Sequence, residues 1–264
     1  MEQCGVPVEL HEIKAAMHGY DIAKDSGLLN EIMEVADRVT VLRKGKCIGT
    51  VNVNETSEAE LSRMMVGRDV QLVVDKDEAH PAQTVLQVEN LTMSSKRHSN
   101  NAVKNVSFDV KAGEIVCIAG IEGNGQTELV YGITGLEPVT SGKITLSGED
   151  ITNQSIRQRS AKMSHIPEDR HKHGLVLDYP LDYNIVLQRY WQSQFVNKAG
   201  ILKKDEIRKY ANALIDKFDV RSGQGASTVA RSMSGGNQQK AIIARELDKD
   251  HDLLVAVQPT RGLD

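Results

Sequence analysis

An α/β fold, in which strands feed glycine turns that open helices, is what the sequence predicts, and three stretches predict it. The apolar run GEIVCIAG (113–120) leads directly into GIEGNGQTEL (120–129), and QTELVYGITG continues as a helix. A second glycine-led helix starts at SGGNQQK (234–240), and the apolar LLVAV (253–257) with a turn at Pro259 follows it. Between residues 84 and 110, TVLQVENLTM and AVKNVSFDV alternate apolar and polar residues in the manner of strands with one buried face.

Taken from the N-terminus, residues 1–28 show no clear period. LLNEIMEVADRV reads as a helix and TVLRKGKCIGTV as a strand pair turning at Lys44-Gly45. SEAELSRMMVG reads as a short helix, with Thr56 or Ser57 as its N-cap. The polar, proline-containing stretch before TVLQV places a linker at 73–83, separating a region 1–72 from a region 84–264. GEIVCIAG, continuous rather than alternating, predicts a strand buried on both faces, with Cys117 in the core. SGKITLSGEDI reads as a hairpin and KMSHIPED as a short strand. Residues 181–222 read as mainly helical, most clearly in DEIRKYANALIDKFDV.

A net charge of −4 over 264 residues argues against a nucleic-acid partner, which calls for a basic stripe. Cys4, Cys47 and Cys117 lack the spacing of a zinc site or a disulfide framework and read as free thiols of a reducing compartment. The longest apolar runs are too short to span a bilayer, and the first residues have no signal-peptide pattern. A membrane partner, where one is needed, is expected to be another subunit.

Gly120, Gly123, Gly125 and Thr127 stand in the register of a phosphate-binding loop, flanked by Glu122, Asn124 and Glu128. Such loops cradle phosphates with backbone N–H groups, reach them with a lysine, and meet magnesium with a hydroxyl. Gln126 occupies the lysine position. The helix N-terminus behind the loop favours an anion in any case. Ser234, Gly235 and Gly236 admit two readings, a second anion-facing helix start or a serine-capped helix with a glycine lead-in.

The order of these segments resembles the nucleotide-binding subunits of ATP-binding-cassette (ABC) transporters. HIPEDRHKHGLVLD, MSGGNQQK and QPTRGLD are similar to the second half of double-cassette ATPases serving simple-sugar and nucleoside importers. GNGQTEL with AVQPTRGLD leans to the nucleoside branch, and LNEIMEVADRVTVLRKGKCIGTV resembles the tail of a first cassette. The resemblance implies a P-loop NTPase cassette with a mixed sheet, an antiparallel β lobe and a helical subdomain at about 181–245, cut short at its C-terminus with an unpaired sheet edge. It also implies ATP and Mg²⁺ as cofactors, with Glu168 near them and Thr127 as a weak Mg²⁺ contact. Membrane permeases, a second cassette and, indirectly, an extracytoplasmic substrate-binding protein are the implied partners, at the cytoplasmic face of the membrane. Ser234, Gly235, Gly236, Asn237 and Gln238 match the segment that completes the partner cassette's site.

Several positions depart from the family pattern. Val257 and Gln258 stand where the aspartate that holds Mg²⁺ and the catalytic glutamate are expected. Glu168 replaces the usual glutamine, and His98 is the nearest candidate to stack on adenine. With no general base, worth roughly 10²–10⁴ in rate, the expectation is a site that binds ATP without hydrolysing it. Two readings compete with a transporter subunit: a soluble double-cassette ATPase and a vestigial regulatory module.

Overall fold

The computed structural model describes residues 32–43, 45–67, 78–94, 101–121 and 123–263. Expectations for residues 1–28, for the Lys44 half of the first turn, for residues 73–77 of the linker, and for His98, Glu122 and Asp264 lie outside them. Contacts divide the chain into two compact units, one formed by 1–75 with 262–264 and the other by Lys76–Arg261.

In the first unit, residues 32–35 are helical and β1 (Arg38–Arg43) pairs antiparallel with β2 (Lys46–Asn52). The strand therefore starts two residues before the TVLRK stretch. Gly45 makes the turn at φ +75°, a left-handed conformation that costs glycine little. Helix α1 (Glu58–Val66) follows, and Ser57 is its N-cap, accepting from the Glu60 amide. Leu61 and Val41 are buried together under Ile32, Met33 and Met64.

The second unit is built on an antiparallel sheet in the order β4-β3-β5-β6. Strand β3 (Thr84–Ser94) lies between β4 (Asn101–Lys111) and β5 (Ser141–Leu146). Ala82 and Ala112 extend the β3–β4 ladder by further backbone bonds, so ordered pairing begins before Thr84. The turn from β5 to β6 (Glu149–Asp150) uses Ser147 and Gly148, both at positive φ, as a two-residue hairpin of this hand requires. Helix α2 (Gln126–Thr134) packs on this sheet through Leu129 and Ile133. Gly132 lets the Met93 thioether lie against the helix backbone, where a Cβ would overlap it.

Helix α3 (Ile156–Arg159) carries a capping box from Ser155 and Gln158. Strand β7 (Met163–Ile166) pairs in parallel with β8 (Leu253–Ala256). Between them stand α4 (Leu181–Val186), α5 (Lys204–Lys217) and α6 (Gly235–Asp248), packed around Phe195, Ile207 and Leu214. Helix thus occupies 181–186 and 204–217, while the segment between them folds as turns around the fully buried Phe195.

The largest departure from expectation is GEIVCIAG. Residues 114–120 form no strand and are exposed, Ile115 at 84% and Ile121 beside them at 76%. Cys117 is exposed too, not a core residue. An apolar run is compatible with burial on both faces, but burial needs neighbouring strands. Among the described residues β8 is bonded only to β7, and nothing pairs with 114–120. For the same reason β8 is not the fully buried strand expected: Leu253 is buried, while Leu254 and Ala256 are exposed.

Candidate functional site

The glycine loop and the start of α2 line an open groove of about 1230 Å³. Gly125 is the N-cap of α2 at φ +99°, and a Cβ there would run into the Ala102 carbonyl, so both conformation and space demand glycine. No side chain caps the helix. Its first N–H groups therefore have no intrahelical acceptor and carry the positive end of the helix dipole. Gly123, at φ +91°, has open space where a side chain would stand. A bare helix start beside an open groove fits a phosphate chain.

Gln126 lines the groove, but its amide is bound to the loop. Its Nε2 donates to the Ile121 carbonyl at 3.1 Å, and a side chain at Gly120 would overlap its amide. The residue that replaces lysine thus closes the loop on itself. The Asn124 backbone N–H also donates to Ile121 O. Glu128 and Glu168 line the same groove.

Behind the loop, Thr127, Glu168 and Val257 meet around a small cleft with Tyr131, His165 and His173. The two sequence-predicted Mg²⁺ positions, Thr127 and Val257, are thereby brought together, but the Val257 side chain has no oxygen to offer, and Gln258 does not line the cleft. Gln258 is exposed at φ +46°, an uncommon conformation for a residue with a side chain. No cluster of three or more His, Cys, Asp or Glu residues suited to a metal occurs among the described residues. The donor set suits a divalent ion poorly.

Burial favours the neutral forms of the cleft's phenol and two imidazoles. Burial pushes the His165 imidazole down to about 4, and its Nε2 has no partner. Burial also raises the Tyr131 phenol and lowers His173, and the two share a 3.2 Å hydrogen bond. The Asp169 carboxylate is held below its usual range by backbone hydrogen bonds from Lys172 and His171.

Ser234 caps α6, accepting from the Asn237 amide at 3.4 Å and from Asn237 Nδ2 at 2.9 Å. The capped-helix reading is thus realised, and the serine hydroxyl retains its own proton to donate. Gly235 and Gly236 are half-buried. Gln238, in contrast, is turned inward, donating to Ala230 O at 2.9 Å and contacting His171 Nε2 at 3.0 Å. Its side chain holds the fold.

Two arginines escaped the sequence reading. Arg159 is buried at the far end of α2 and donates to the Gly132, Ile133, Thr152 and Gln154 carbonyls, capping the helix that the loop opens. Arg245 anchors α6 through Gly174 O, Asn184 O and Glu246. Neither has a motif; only the fold brings their acceptors near.

A glycine loop opening one helix, a glycine-led second helix and a parallel strand pair between them define a P-loop nucleotide-binding cassette. The chain belongs to the ABC transporter family, whose sequence model matches residues 103–261. It is 47% identical to the nucleoside import ATP-binding protein NupA of Lactococcus lactis subsp. cremoris, over 98% of this chain and 52% of that protein. It is 48% identical to the guanosine import ATP-binding protein NupO of Bacillus subtilis, over 96% of this chain and 51% of that protein. A ribose import ATP-binding protein of Rhizobium meliloti is 34% identical over 97% of this chain. The chain spans about half the length of these curated relatives. In fold it is similar to a dimeric ATP-binding cassette solved in a post-hydrolysis state with ADP and Pi. The TM-score is 0.57 at 24% identity, over 68% of this chain and 76% of that one.

Proposed function

We propose that this chain is part of the ATP-binding subunit of an importer for nucleosides or simple sugars, and that its own glycine-loop site binds ATP without hydrolysing it. The observation that carries the second half is the make-up of the cleft behind the loop: Thr127 and Glu168 face Val257 there, and Gln126 is folded onto Ile121 O. Gly123, Gly125 and the bare start of α2 would hold the phosphates, with Thr127 as a weak contact for Mg²⁺. When bound, Mg²⁺ would neutralise phosphate charge. In this chain a valine and a glutamine stand where a metal-holding carboxylate and a general base would act.

The names of the relatives, all import ATP-binding proteins, support the importer reading. On it, Ser234, Gly235 and Gly236 complete the site of the partner cassette, which hydrolyses ATP. Residues 1–72 are an unmatched start followed by the tail of a first cassette, 73–83 a linker, and 84–264 most of a second cassette. The partners are membrane permeases at the cytoplasmic face and, through them, a substrate-binding protein. No described helix is long and apolar enough to cross a membrane.

The test is calorimetric titration of the chain with ATP and Mg²⁺, paired with a phosphate-release assay. Saturable uptake with no phosphate release above background is expected. Steady turnover abolished by Thr127→Ala would refute the non-hydrolysing site, and absence of uptake would refute the nucleotide site altogether.

A further inference from the structure

Arg170 stands beside the glycine-loop groove with part of its side chain uncompensated. It begins a π-helical turn, Arg170–Gly174, directly after Asp169 and lines the groove that holds the glycine loop. Its Nε is buried with no hydrogen-bond partner. Its guanidinium forms no ion pair with any described residue. The adjacent Asp169 is occupied, its Oδ1 accepting from the His171 and Lys172 amides at 2.9 and 3.0 Å.

The other side of the guanidinium offers no compensation. It lies against Gly235, the first residue of α6, where a Cβ would come within 2.6 Å of Nη2 and 3.1 Å of Cζ. That is the positive end of a 14-residue helix, which disfavours a cation. A guanidinium with a dehydrated donor, held at a helix N-terminus, is in an unfavourable position on both counts. An anion in the groove would compensate that charge.

We propose that Arg170 contacts the nucleotide phosphates in the glycine-loop groove and supplies the positive charge that Gln126 does not. The inference rests on the ATP-binding reading above. It explains how a loop whose lysine position is folded back on Ile121 O keeps a cation for its ligand. It also gives Gly235 a second role, leaving room for the guanidinium. Arginine suits the task, because its planar fork binds phosphate oxygens in pairs.

The experiment is calorimetric titration of the 264-residue chain with ATP, ADP and AMP, for the unsubstituted protein and for R170A, R170K and R170A/Q126K. R170A is expected to weaken ATP about tenfold, as loss of a charge-assisted hydrogen bond does, and to weaken AMP less. R170K should retain part of the affinity. Q126K in the R170A background should regain it, because the charge then arrives from the loop. Thermal melts of each variant report the fold separately. A variant that melts earlier yet binds ATP as before overturns the proposal, as does an equal loss for ATP and AMP. If the unsubstituted chain takes up no ATP, both this proposal and the ATP-binding reading fall; if it does and R170A matches it, only this proposal falls.

Discussion

Replacing Glu246 by glutamine removes one charge from the middle of α6 with almost no change of size. The carboxylate is fully buried. Oε1 accepts from Arg245 Nε at 2.9 Å and Gln188 Nε2 at 2.8 Å. Oε2 accepts from the His165 amide at 3.2 Å and lies 3.5 Å from Lys249 Nζ. Whichever way the new amide turns, its NH₂ faces two donors, and Arg245 and Lys249 lose their counter-charge while still buried. Removing one partner of a buried ion pair costs about 3–5 kcal/mol. Urea unfolding at pH 7, with a slope of about 1–3 kcal/mol per M, should therefore show a midpoint lower by at least about 1 M. The effect has a pH signature. Burial pushes the Glu246 carboxyl up, but the Arg245 and Lys249 charges outweigh it and leave it below its ordinary value. A depressed carboxylate stabilises above its unfolded pKa, and that stability is lost as pH falls through the folded value. The gap between wild type and E246Q should thus close in acid. An E246Q midpoint within a few tenths of a molar of wild type at pH 7 would refute the reasoning, and with it the view that this network ties α6 to β7.

Three further outcomes follow from the same geometry. His165 titrates at about 4 against 6.5 in a free chain, so its neutral form stabilises the fold above pH 6.5. That contribution, about 3 kcal/mol from some 2.5 pKa units, is lost between pH 6.5 and 4; the stability profile of H165Q should be flatter across this window, and an unchanged profile counts against it. Arg159→Ala leaves four carbonyls without their donor and should lower stability by at least about 2 kcal/mol, read as a lower melting temperature; R159K should recover only part. Lysine at both Ile115 and Ile121, the most exposed isoleucines among the described residues, should suppress concentration-dependent light scattering if their apolar surface drives self-association; equal scattering would show that another patch is responsible.

Much of the fold was legible because its signals are local. The alternation of β3 and β4, the Ser147-Gly148 turn, the glycine that opens α2 and the serine that caps α6 depend on backbone conformation and spacing within a few residues. The order of motifs made the family legible as well. Less legible were the features whose partners lie far along the chain. Arg159 reaches carbonyls 26 and 27 residues away, and Ser164 donates to Glu246 O across 82 residues. Nothing in their neighbourhoods marks either residue.

The run GEIVCIAG marks the boundary between the two kinds of knowledge. By itself the sequence determined that residues 115–121 are apolar and that glycines lead from them into the next helix, and its resemblance to the family set the expectation that Gln126, Val257 and Gln258 stand at lysine, carboxylate and base positions. The tertiary structure alone decided that the apolar run stays exposed, that Gln126 folds back onto its own loop, and that the buried Arg170 Nε beside the groove has no hydrogen-bond partner among the described residues. The reason is physical: apolarity and backbone preference belong to a residue and its neighbours, whereas burial and charge compensation depend on which distant atoms arrive.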